Sequence, residues 1–386
     1  MATKQSSYIT RILNINKYLD KKSVLLLGPR RTGKSALIRH QIKADQVYNL
    51  LQADVFQSLT ARPSLIRESL KPQHRLIVID EIQKLPSLMD EVHGLIEEQG
   101  IRFLLTGSSA RKLKRTHTSL MAGRAKKLQL FPFCYQEISD RFDLRRVLQF
   151  GTLPPVYLAE DPWDELRSYT GDYLKEEIQA EAISRRIENF SRFLITAATS
   201  NAELLNYEST ASDAQVPPRT LREYYAVLQD TLMGTILEPL QLKRSTRKAV
   251  SKGKFYFFDL GVLNSLLDRR TLPRAGVELG NLFESWIYSE LRAYLEYSGR
   301  DEPVHFWRTH TGHEVDFVLG DSVGVEVKFT ENASERDLSG LLELQKDMTL
   351  KRRIIVSQDK RYRKVQGVEI YPYLEFIKAL WAGEFL

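Results

Sequence analysis

The sequence predicts an α/β protein built from more than one domain. Short apolar runs, each long enough for one buried strand, recur along the chain between segments of helical periodicity. The first of these runs, Val24 to Leu27, leads into a glycine loop and then a helix, an order typical of a parallel sheet. The length of 386 residues exceeds one ordinary core, so two or three domains are expected.

The composition excludes several classes of protein. Lysine and arginine total 56 and aspartate and glutamate total 49, and the resulting net charge of +7 permits a polyanionic partner without requiring one. The single cysteine, Cys134, excludes an internal disulfide framework and is typical of a reducing compartment. The N-terminus lacks the apolar core of a signal peptide, and no run approaches the ~20 apolar residues of a membrane-spanning helix. We therefore expect a soluble cytoplasmic protein without a membrane partner.

The first strand is followed by the pattern G-x-x-x-x-G-K-S. Its two glycines allow the backbone to point successive N–H groups at phosphate oxygens, and the helix behind them adds the positive end of its dipole. The lysine would reach the β- and γ-phosphates, and the serine hydroxyl would ligate Mg²⁺. The alternative is a glycine turn that happens to carry a lysine. The pattern predicts ATP and Mg²⁺ as cofactors, with the nucleotide bound by Gly28, Pro29, Arg30, Arg31, Thr32, Gly33, Lys34, Ser35 and Ala36.

A second apolar run, residues 76–79, ends in Asp80 and Glu81. Parallel strands end at one edge of a sheet, so these carboxylates are expected beside the glycine loop. Asp80 is the candidate magnesium ligand, and Glu81 is the candidate base that orients and deprotonates the attacking water. The alternative is a helix N-cap followed by an acidic first turn.

Two further residues are candidates for the hydrolysis step. A later apolar strand ends in small hydroxyls, of which Ser108, or Thr106, is placed to report the γ-phosphate. The alternative for this position is the N-cap of a helix that begins near Ala110. Arg124 precedes the strand predicted at Lys127–Phe131, and it is either a finger that completes a neighbour's site or a solvated surface charge. A finger acting in trans would make the protein a homo-oligomer.

Taken in order, GPRRTGKS, IVIDEIQKLP, FLLTGSSARKL, SLMAGR and LFPF resemble a large bacterial and archaeal family of AAA-type P-loop ATPases. In that family the ATPase is fused to a C-terminal domain of unknown function with a PD-(D/E)XK, restriction-endonuclease-like core. The resemblance covers nearly the whole chain. It implies ATP binding at residues 28–35 and at Asp80 and Glu81, and it implies no defined cellular task.

Helical periodicity predicts further elements outside these motifs. Apolar residues spaced three or four apart predict an amphipathic helix over residues 8–20. A highly charged helix is expected over residues 165–188, and short helices are expected at Phe193–Ala198 and Ala202–Asn206.

The middle of the chain has the element order of a winged helix. A helix is expected to open at Pro217 and Pro218, where a missing N–H would be unpaired anyway, and two strands are expected from Thr235 and from Lys254. Residues 243–254, between the strands, are dense in lysine and arginine. Such a wing either holds the phosphates of DNA or is a solvated loop within a protein–protein module.

The C-terminal part carries four residues with the chemistry of a metal-dependent nuclease. Asp316 and Glu326 lie at equal distances from Asp321, so a hairpin centred there sets them opposite each other, and Lys328 points to the same face as Glu326. Two such carboxylates bind Mg²⁺ or Mn²⁺, and the lysine stabilises a metal-bound hydroxide. Glu284, on a preceding helix, is the fourth member. The alternative is a cross-strand ion cluster that Lys328 neutralises. This D…E-x-K pattern resembles the PD-(D/E)XK fold, in which these positions bind metal and position water.

We therefore expect an α/β chain of four regions. They are an AAA-type P-loop ATPase domain (1–141), a helical connector (142–190), a winged-helix-like domain (191–275) and a PD-(D/E)XK nuclease-like domain (276–386). The leading interpretation is an ATPase that drives a nucleic-acid-engaging, metal-dependent nuclease module. The alternative is a nucleotide-controlled switch with an inactive nuclease fold that binds protein partners. A small-molecule kinase is disfavoured because Glu81 suits the activation of water.

Overall fold

The computed structural model describes residues 8–109, 123–180, 187–242 and 250–386. The chain divides into two compact units. The first contains the chain up to Phe133 together with Val227–Met233, and the second contains Cys134–Ala226 and Gly234–Leu386. The boundaries of the four regions stay a prediction.

The first unit is built on a parallel sheet of five strands in the order β2–β3–β4–β1–β5. Its strands are β1 Ser23–Leu27, β2 Gln46–Asn49, β3 Leu76–Asp80, β4 Arg102–Gly107 and β5 Ala125–Gln129. The helices described here are α1 Asn16–Leu19, α2 Lys34–Gln41, α3 Ala53–Ala61, α4 Leu65–Glu68 and α5 Leu88–Gln99. The inner strands are apolar and buried because helices cover both faces of such a sheet. The predicted α/β class with a parallel sheet is confirmed.

The helix predicted for residues 8–20 is wrong except for its last turn, α1. Alternate residues from Arg11 to Ile15 are buried and those between are exposed, a period of two that is typical of extended chain. The guanidinium of Arg11 donates to the carbonyl oxygens of Thr32 at 2.6 Å and Phe131 at 2.7 Å. The apolar spacing is compatible with a helix and with an extended chain. The hydrogen bonds from Arg11 to the distant carbonyls stabilise the extended chain.

A series of helices follows along the chain. They are α6 Tyr135–Ile138, α7 Leu144–Phe150, α8 Pro154–Leu158, α9 Pro162–Ala180, α10 Ile187–Thr199, α11 Tyr207–Asp213 and α12 Pro218–Asp230. An antiparallel pair, β6 Gly234–Leu237 and β7 Lys254–Phe257, comes next, followed by α13 Leu260–Leu266. The strand pair agrees with the predicted hairpin, but the basic residues predicted for its wing at 243–249 lie outside the described residues.

The helix predicted at residues 202–206 is wrong. The N–H of Ala202 donates to the carbonyl of Phe255 at 2.9 Å, and Leu204 forms a bridge to Lys254, so this segment extends along β7. The helix α11 begins only afterwards, where the side chain of Asn206 caps it by accepting from a backbone N–H. The asparagine therefore marks a helix start, where the prediction had placed a helix end.

The C-terminal part of the second unit is a mixed sheet of six strands in the order β12–β13–β11–β10–β9–β8. The strands are β8 Val304–Arg308, β9 Glu314–Leu319, β10 Val323–Val327, β11 Arg352–Ser357, β12 Arg363–Val365 and β13 Val368–Pro372. The helices are α14 Val277–Ser298, α15 Ser339–Asp347 and α16 Tyr373–Ala382. Buried aliphatic residues of β9, β11, β13 and α15 form one core cluster.

The hairpin of β9 and β10 has the predicted register. Leu319 pairs with Val323 and Phe317 with Val325, so continuing the register by one residue sets Asp316 opposite Glu326. This prediction of geometry is confirmed.

Candidate functional site

The glycine loop joins β1 to α2 at the carboxyl edge of the parallel sheet. Gly33 has φ 95°, a left-handed conformation that glycine adopts without strain, and it is the N-cap of α2. At Gly28 a Cβ atom would lie 2.6 Å from the carbonyl oxygen of Leu130, so only glycine fits. Within the loop Arg31 is exposed, Arg30 is half-buried, and Ala36 lies in the first turn of α2. The sequence therefore builds the predicted strand–loop–helix cradle.

Lys34 is buried within this loop. Its ammonium donates to the carbonyl oxygens of Gly28 at 2.8 Å and Pro29 at 3.1 Å, and it lies 4.0 Å from Glu81 Oε1. Thr32 Oγ1 donates to the same Pro29 carbonyl at 2.8 Å. The loop therefore holds the lysine ammonium against neutral carbonyls, beside the carboxylate of Glu81.

Asp80 joins the glycine loop to the neighbouring strands. Ser35 Oγ donates to Asp80 Oδ2 at 2.8 Å, and the Thr106 hydroxyl donates to Asp80 Oδ1. Asp80 is buried, at 3% exposure. A serine hydroxyl and a carboxylate in contact form an oxygen donor set that fits Mg²⁺.

Glu81 has φ 63° and is held by three neighbours. Its carboxylate accepts hydrogen bonds from Gln83 Nε2 and from Ser108 Oγ, the latter at 3.2 Å. Its backbone N–H donates to Thr106 Oγ1 at 3.2 Å. Glu81 precedes the 3-10 helix Ile82–Lys84, but its side chain makes no capping hydrogen bond there. This geometry disfavours the N-cap alternative.

Both hydroxyls proposed for the sensor position therefore lie at the acidic pair, Thr106 on Asp80 and Ser108 on Glu81. Ala110, near which the alternative interpretation has a helix begin, lies outside the described residues, so the N-cap alternative for Ser108 stays a prediction. Sequence reasoning missed Gln83, which is buried and also donates to Ser108 Oγ at 3.0 Å. The one available signal was a polar amide two residues after Glu81.

Arg124 is not brought together with these residues. It precedes β5, and the pairing of Ala125 with Ser23 places it where β1 begins, at the sheet edge opposite the glycine loop. Its guanidinium forms an ion pair with Glu97 of α5. The hydrogen bond from Arg124 lowers the pKa of Glu97 below its ordinary value.

The second unit contains a cluster of acids around a lysine that sequence reasoning missed. The Nζ atom of Lys254 lies 2.6 Å from Glu314 Oε1, 3.0 Å from Glu284 Oε1 and 3.6 Å from Asp316 Oδ1. Lys254 is the first residue of β7 and is 3% exposed. Burial lowers its pKa, but the carboxylates, Glu284 first, raise that pKa well above the ordinary value. The lysine therefore stays charged.

The other predicted residues of this region lie beside the cluster. Lys328 Nζ contacts Glu326 Oε1 at 2.6 Å, and the backbone N–H of Val327 donates to Asp316 Oδ2 at 2.8 Å. Burial and the nearby Asp316 raise the pKa of Glu284 to about 7, and the same two causes raise the pKa of Glu326 well above its ordinary range. These side chains line a cavity of about 940 Å³.

The predicted metal ligands Glu284 and Asp316 thus converge on an ammonium. Across the ranges that the structure describes, no three histidine, cysteine or acidic side chains are arranged to hold a metal ion. Lys254 lies at the point on which the carboxylates converge, so this arrangement does not fit a divalent cation. The sequence analysis counted Lys254 as the last residue of the basic wing at 243–254. The structure corrects this assignment, because its ammonium is buried and paired with acids 30 and 60 residues later in the chain.

None of the helices in the described ranges is both long and apolar enough to cross a bilayer.

Family comparison assigns three segments of the chain. Residues 20–139 match the model of an AAA domain, and residues 141–272 and 279–376 match models described as Domain of unknown function (DUF8612) and Domain of unknown function (DUF4143). An uncharacterized protein of Methanocaldococcus jannaschii is 21% identical, covering 96% of this chain and 91% of its own length. An uncharacterized protein of Haemophilus influenzae is also 21% identical, covering 92% and 93%.

Two solved structures show weak likeness. The Aeropyrum pernix ORC1 protein in complex with DNA is 12% identical with a TM-score of 0.26, over 64% of this chain and 86% of that chain. Can2 from Sulfobacillus thermosulfidooxidans, in complex with cyclic tetra-adenylate, is 9% identical with a TM-score of 0.22, over 94% and 99%. Scores this low carry no argument about this chain.

The segment matches and the parallel five-stranded sheet with its glycine loop lead to one conclusion: the chain combines an AAA domain with a C-terminal Domain of unknown function (DUF4143).

Proposed function

We propose that the AAA domain binds ATP with Mg²⁺ and hydrolyses it. The observation that carries this proposal is the contact of Ser35 Oγ with Asp80 Oδ2 at 2.8 Å, with Glu81 next along the chain and Lys34 4.0 Å from it. The proposed phosphate cradle, the proposed magnesium ligands and the proposed base lie together at one edge of the parallel sheet. In folds of this kind, ligands bind at the carboxyl ends of the strands.

The residues of this site divide the work. The backbone N–H groups of the loop and the positive end of α2 hold the phosphates, and Lys34 exchanges its carbonyl partners for phosphate oxygens. Ser35 and Asp80 would hold Mg²⁺, which offsets phosphate charge. Glu81 orients the attacking water and takes its proton, while Ser108 and Gln83 hold the carboxylate of Glu81 in place.

The test is phosphate release by the full chain with Lys34→Ala. We expect turnover to fall below detection because the ammonium that stabilises the transferred charge is gone. The matched control is Lys22→Ala, which removes an exposed lysine just before β1 and should keep the turnover of the natural chain. Full turnover by Lys34→Ala would remove this site from consideration.

We further propose that the C-terminal module has a restriction-endonuclease-like core that engages nucleic acid. The mixed six-stranded sheet, the β9–β10 register that sets Asp316 opposite Glu326 when continued by one residue, and the neighbouring Lys328 support this core. The net charge of +7 suits a polyanionic partner. The position of Lys254 among the acids favours the second candidate function, a nucleotide-controlled switch with an inactive nuclease fold that binds protein partners.

Plasmid incubated with Mg²⁺ or Mn²⁺, with and without ATP, separates the two candidates. Cleavage that Lys328→Ala abolishes supports the nuclease, whereas no cleavage of any nucleic acid supports the switch. Binding of DNA must weaken with rising salt if lysines and arginines hold phosphates. Stimulation of ATP turnover by DNA would couple the two activities.

A further inference from the structure

We propose that Arg11 is a positioning residue of the nucleotide site, which holds the glycine loop in the shape that binds phosphate. The inference rests on the ATP site proposed above and adds to it a residue of the N-terminal segment, outside the glycine-loop motif. The role of Arg11 concerns the binding of the phosphates and leaves the chemical step to Glu81.

Arg11 is a buried cation in contact with the loop. Its side chain is 3% exposed, and one terminal nitrogen donates to the carbonyl oxygen of Thr32 at 2.6 Å. The other terminal nitrogen donates to the carbonyl oxygens of Phe131 at 2.7 Å and Pro132 at 3.2 Å, in the chain that follows β5. The ring of Phe133 lies 5.1 Å from the guanidinium. One planar group therefore ties the glycine loop to a second segment of the first unit.

The contact with Thr32 sets the direction of a loop N–H group. No cis peptide occurs among the described residues, and in a planar trans peptide the C=O and the following N–H point in opposite directions. Because Arg11 holds the carbonyl of Thr32, the N–H of Gly33 points away from Arg11, to the side on which the phosphates would bind. Gly33 has φ 95°, and glycine leaves the backbone unusually free. A restraint from outside the loop therefore has most effect at this peptide.

The charge of Arg11 acts in the same sense as its geometry. A charged donor on a carbonyl polarises the peptide and strengthens the N–H of that peptide as a donor. A buried positive charge also attracts the negative charge that a triphosphate brings to the loop. Burying a guanidinium costs free energy that a neutral side chain would avoid, so its presence at this place points to a role in binding an anion.

Arg11 is itself held by the far end of α2. Its backbone N–H donates to Gln41 Oε1 at 3.1 Å, and its carbonyl oxygen accepts from Gln41 Nε2 at 3.0 Å. The Tyr8 hydroxyl donates to the same Gln41 oxygen at 2.5 Å, and the Tyr8 ring stacks on His40 with the centroids 4.2 Å apart. Since α2 begins at Lys34, the N-terminal segment is attached to the end of this helix and, through Arg11, to the loop before its start.

The experiment is the ATP dependence of phosphate release by the full chain with Arg11→Met or Arg11→Lys. Loop N–H groups bind the phosphates before and during the reaction alike, so KM should rise while kcat stays nearly unchanged. We expect a rise of about tenfold in Arg11→Met, the factor that one hydrogen bond to a charged group provides. Calorimetry should show the same loss of affinity for Mg–ATP. Arg39→Met, which removes an exposed arginine of α2, should keep the KM of the natural chain.

The lysine variant separates charge from shape. An ammonium keeps the positive charge but lacks the planar fork that reaches the carbonyls of Thr32 and Phe131 together. We therefore expect Arg11→Lys to restore KM only in part. A role in stability alone would lower the folded fraction, and hence kcat per chain, and would leave KM unchanged.

Gln41→Leu tests the same role without altering the guanidinium. This variant removes both hydrogen bonds to the backbone of Arg11, so KM should rise in the same direction but by less. Natural KM and natural affinity in Gln41→Leu and in whichever Arg11 variant folds would overturn the inference. A natural chain without affinity for Mg–ATP would instead remove the proposed ATP site itself, and this inference with it.

Discussion

Two clusters of lysine and carboxylate in this chain use the same residue types to different ends. In the AAA domain Lys34 donates to the carbonyls of Gly28 and Pro29 and stays 4.0 Å from Glu81. In the second unit Lys254 of β7 lies directly among the acids, 2.6 Å from Glu314. The partner of the lysine, carbonyl or carboxylate, decides whether the acids remain available to a cation.

The strength of these partners differs. A backbone carbonyl is a neutral acceptor, and an ammonium can exchange it for a phosphate oxygen at small cost. A buried ion pair is held far more firmly, since removing one partner typically costs about 3–5 kcal/mol. The first cluster is therefore ready to receive a ligand, and the second is closed by its own lysine.

The largest expected effect comes from the acid of the open cluster. Glu81→Gln keeps the shape of the side chain and removes its basicity, so turnover should fall by about 10²–10⁴-fold. ATP affinity should stay nearly unchanged, because Lys34, Ser35 and the loop N–H groups remain. Phosphate release measures turnover and calorimetry measures affinity, with Glu98→Gln as an exposed control. Turnover that survives would place the base elsewhere and leave the bonds from Gln83 and Ser108 purely structural.

The closed cluster can be disturbed from behind, at Gly340 in α15. A Cβ atom there would lie 1.8 Å from the backbone carbonyl oxygen of Glu314, so Gly340→Ala must push the start of β9 away. We expect the free energy of unfolding of the second unit to fall by about 3 kcal/mol or more. The matched control is Gly280→Ala in α14, where an added Cβ has no atom within 4 Å. This variant should raise the free energy of unfolding by about 0.5–1 kcal/mol, because alanine is preferred over glycine within a helix.

Tryptophan fluorescence in a urea titration reports this unit alone, since Trp163, Trp286, Trp307 and Trp381 all belong to it. Equal midpoints for the two glycine variants would mean that α15 does not press on β9.

The contrast also separates what the sequence can predict from what it cannot. The glycine loop and the opposition of Asp316 and Glu326 were predicted because each depends on local spacing within one or two neighbouring elements. Lys254 was missed because its partners Glu284 and Glu314 lie 30 and 60 residues away, and nothing local encodes their approach. Which side chains that are distant in sequence come into contact is determined by how whole helices and strands pack against one another.

The N-terminal segment failed for a related reason. Its apolar residues fit a helix and an extended chain equally well, and the contacts of Arg11 with Thr32 and Phe131 select the second. The segment at residues 202–206 likewise follows β7, which lies some 50 residues later. In both places long-range hydrogen bonds override local helical preference.

Glu290 is a buried acid whose partners are neutral donors and not a lysine. The pH dependence of unfolding therefore shows how an acid behaves when no cation pairs with it. Glu290 accepts from the backbone N–H of Tyr135 at 2.8 Å and from Trp381 Nε1 at 3.0 Å, and burial raises its pKa from 4.5 to about 7. The folded chain then binds the proton more tightly than the unfolded chain. Its stabilising contribution is complete below pH 4.5 and is lost as pH rises through about 7.

Between pH 4.5 and 7 this loss amounts to about 3 kcal/mol, at 1.36 kcal/mol per pH unit. Glu290→Gln cannot titrate, so the difference in unfolding free energy between it and the natural chain should change by that amount across the window. Urea titrations at several pH values, followed by tryptophan fluorescence, measure this difference. A difference independent of pH would mean that water or a cation reaches Glu290 in the folded chain.

The smallest expected effect belongs to the ion pair between half-buried Arg124 and exposed Glu97. Solvent screens such a pair, and salt weakens it further. We therefore expect Arg124→Ala and the natural chain to have the same unfolding midpoint for the first unit when unfolding is followed by circular dichroism. Turnover then decides between the two interpretations of Arg124. A finger acting in trans requires turnover per chain to rise with protein concentration and to fall about 10³-fold or more in Arg124→Ala. A surface charge requires neither, because the arginine lies where β1 and β5 begin, at the edge opposite Lys34 and Asp80.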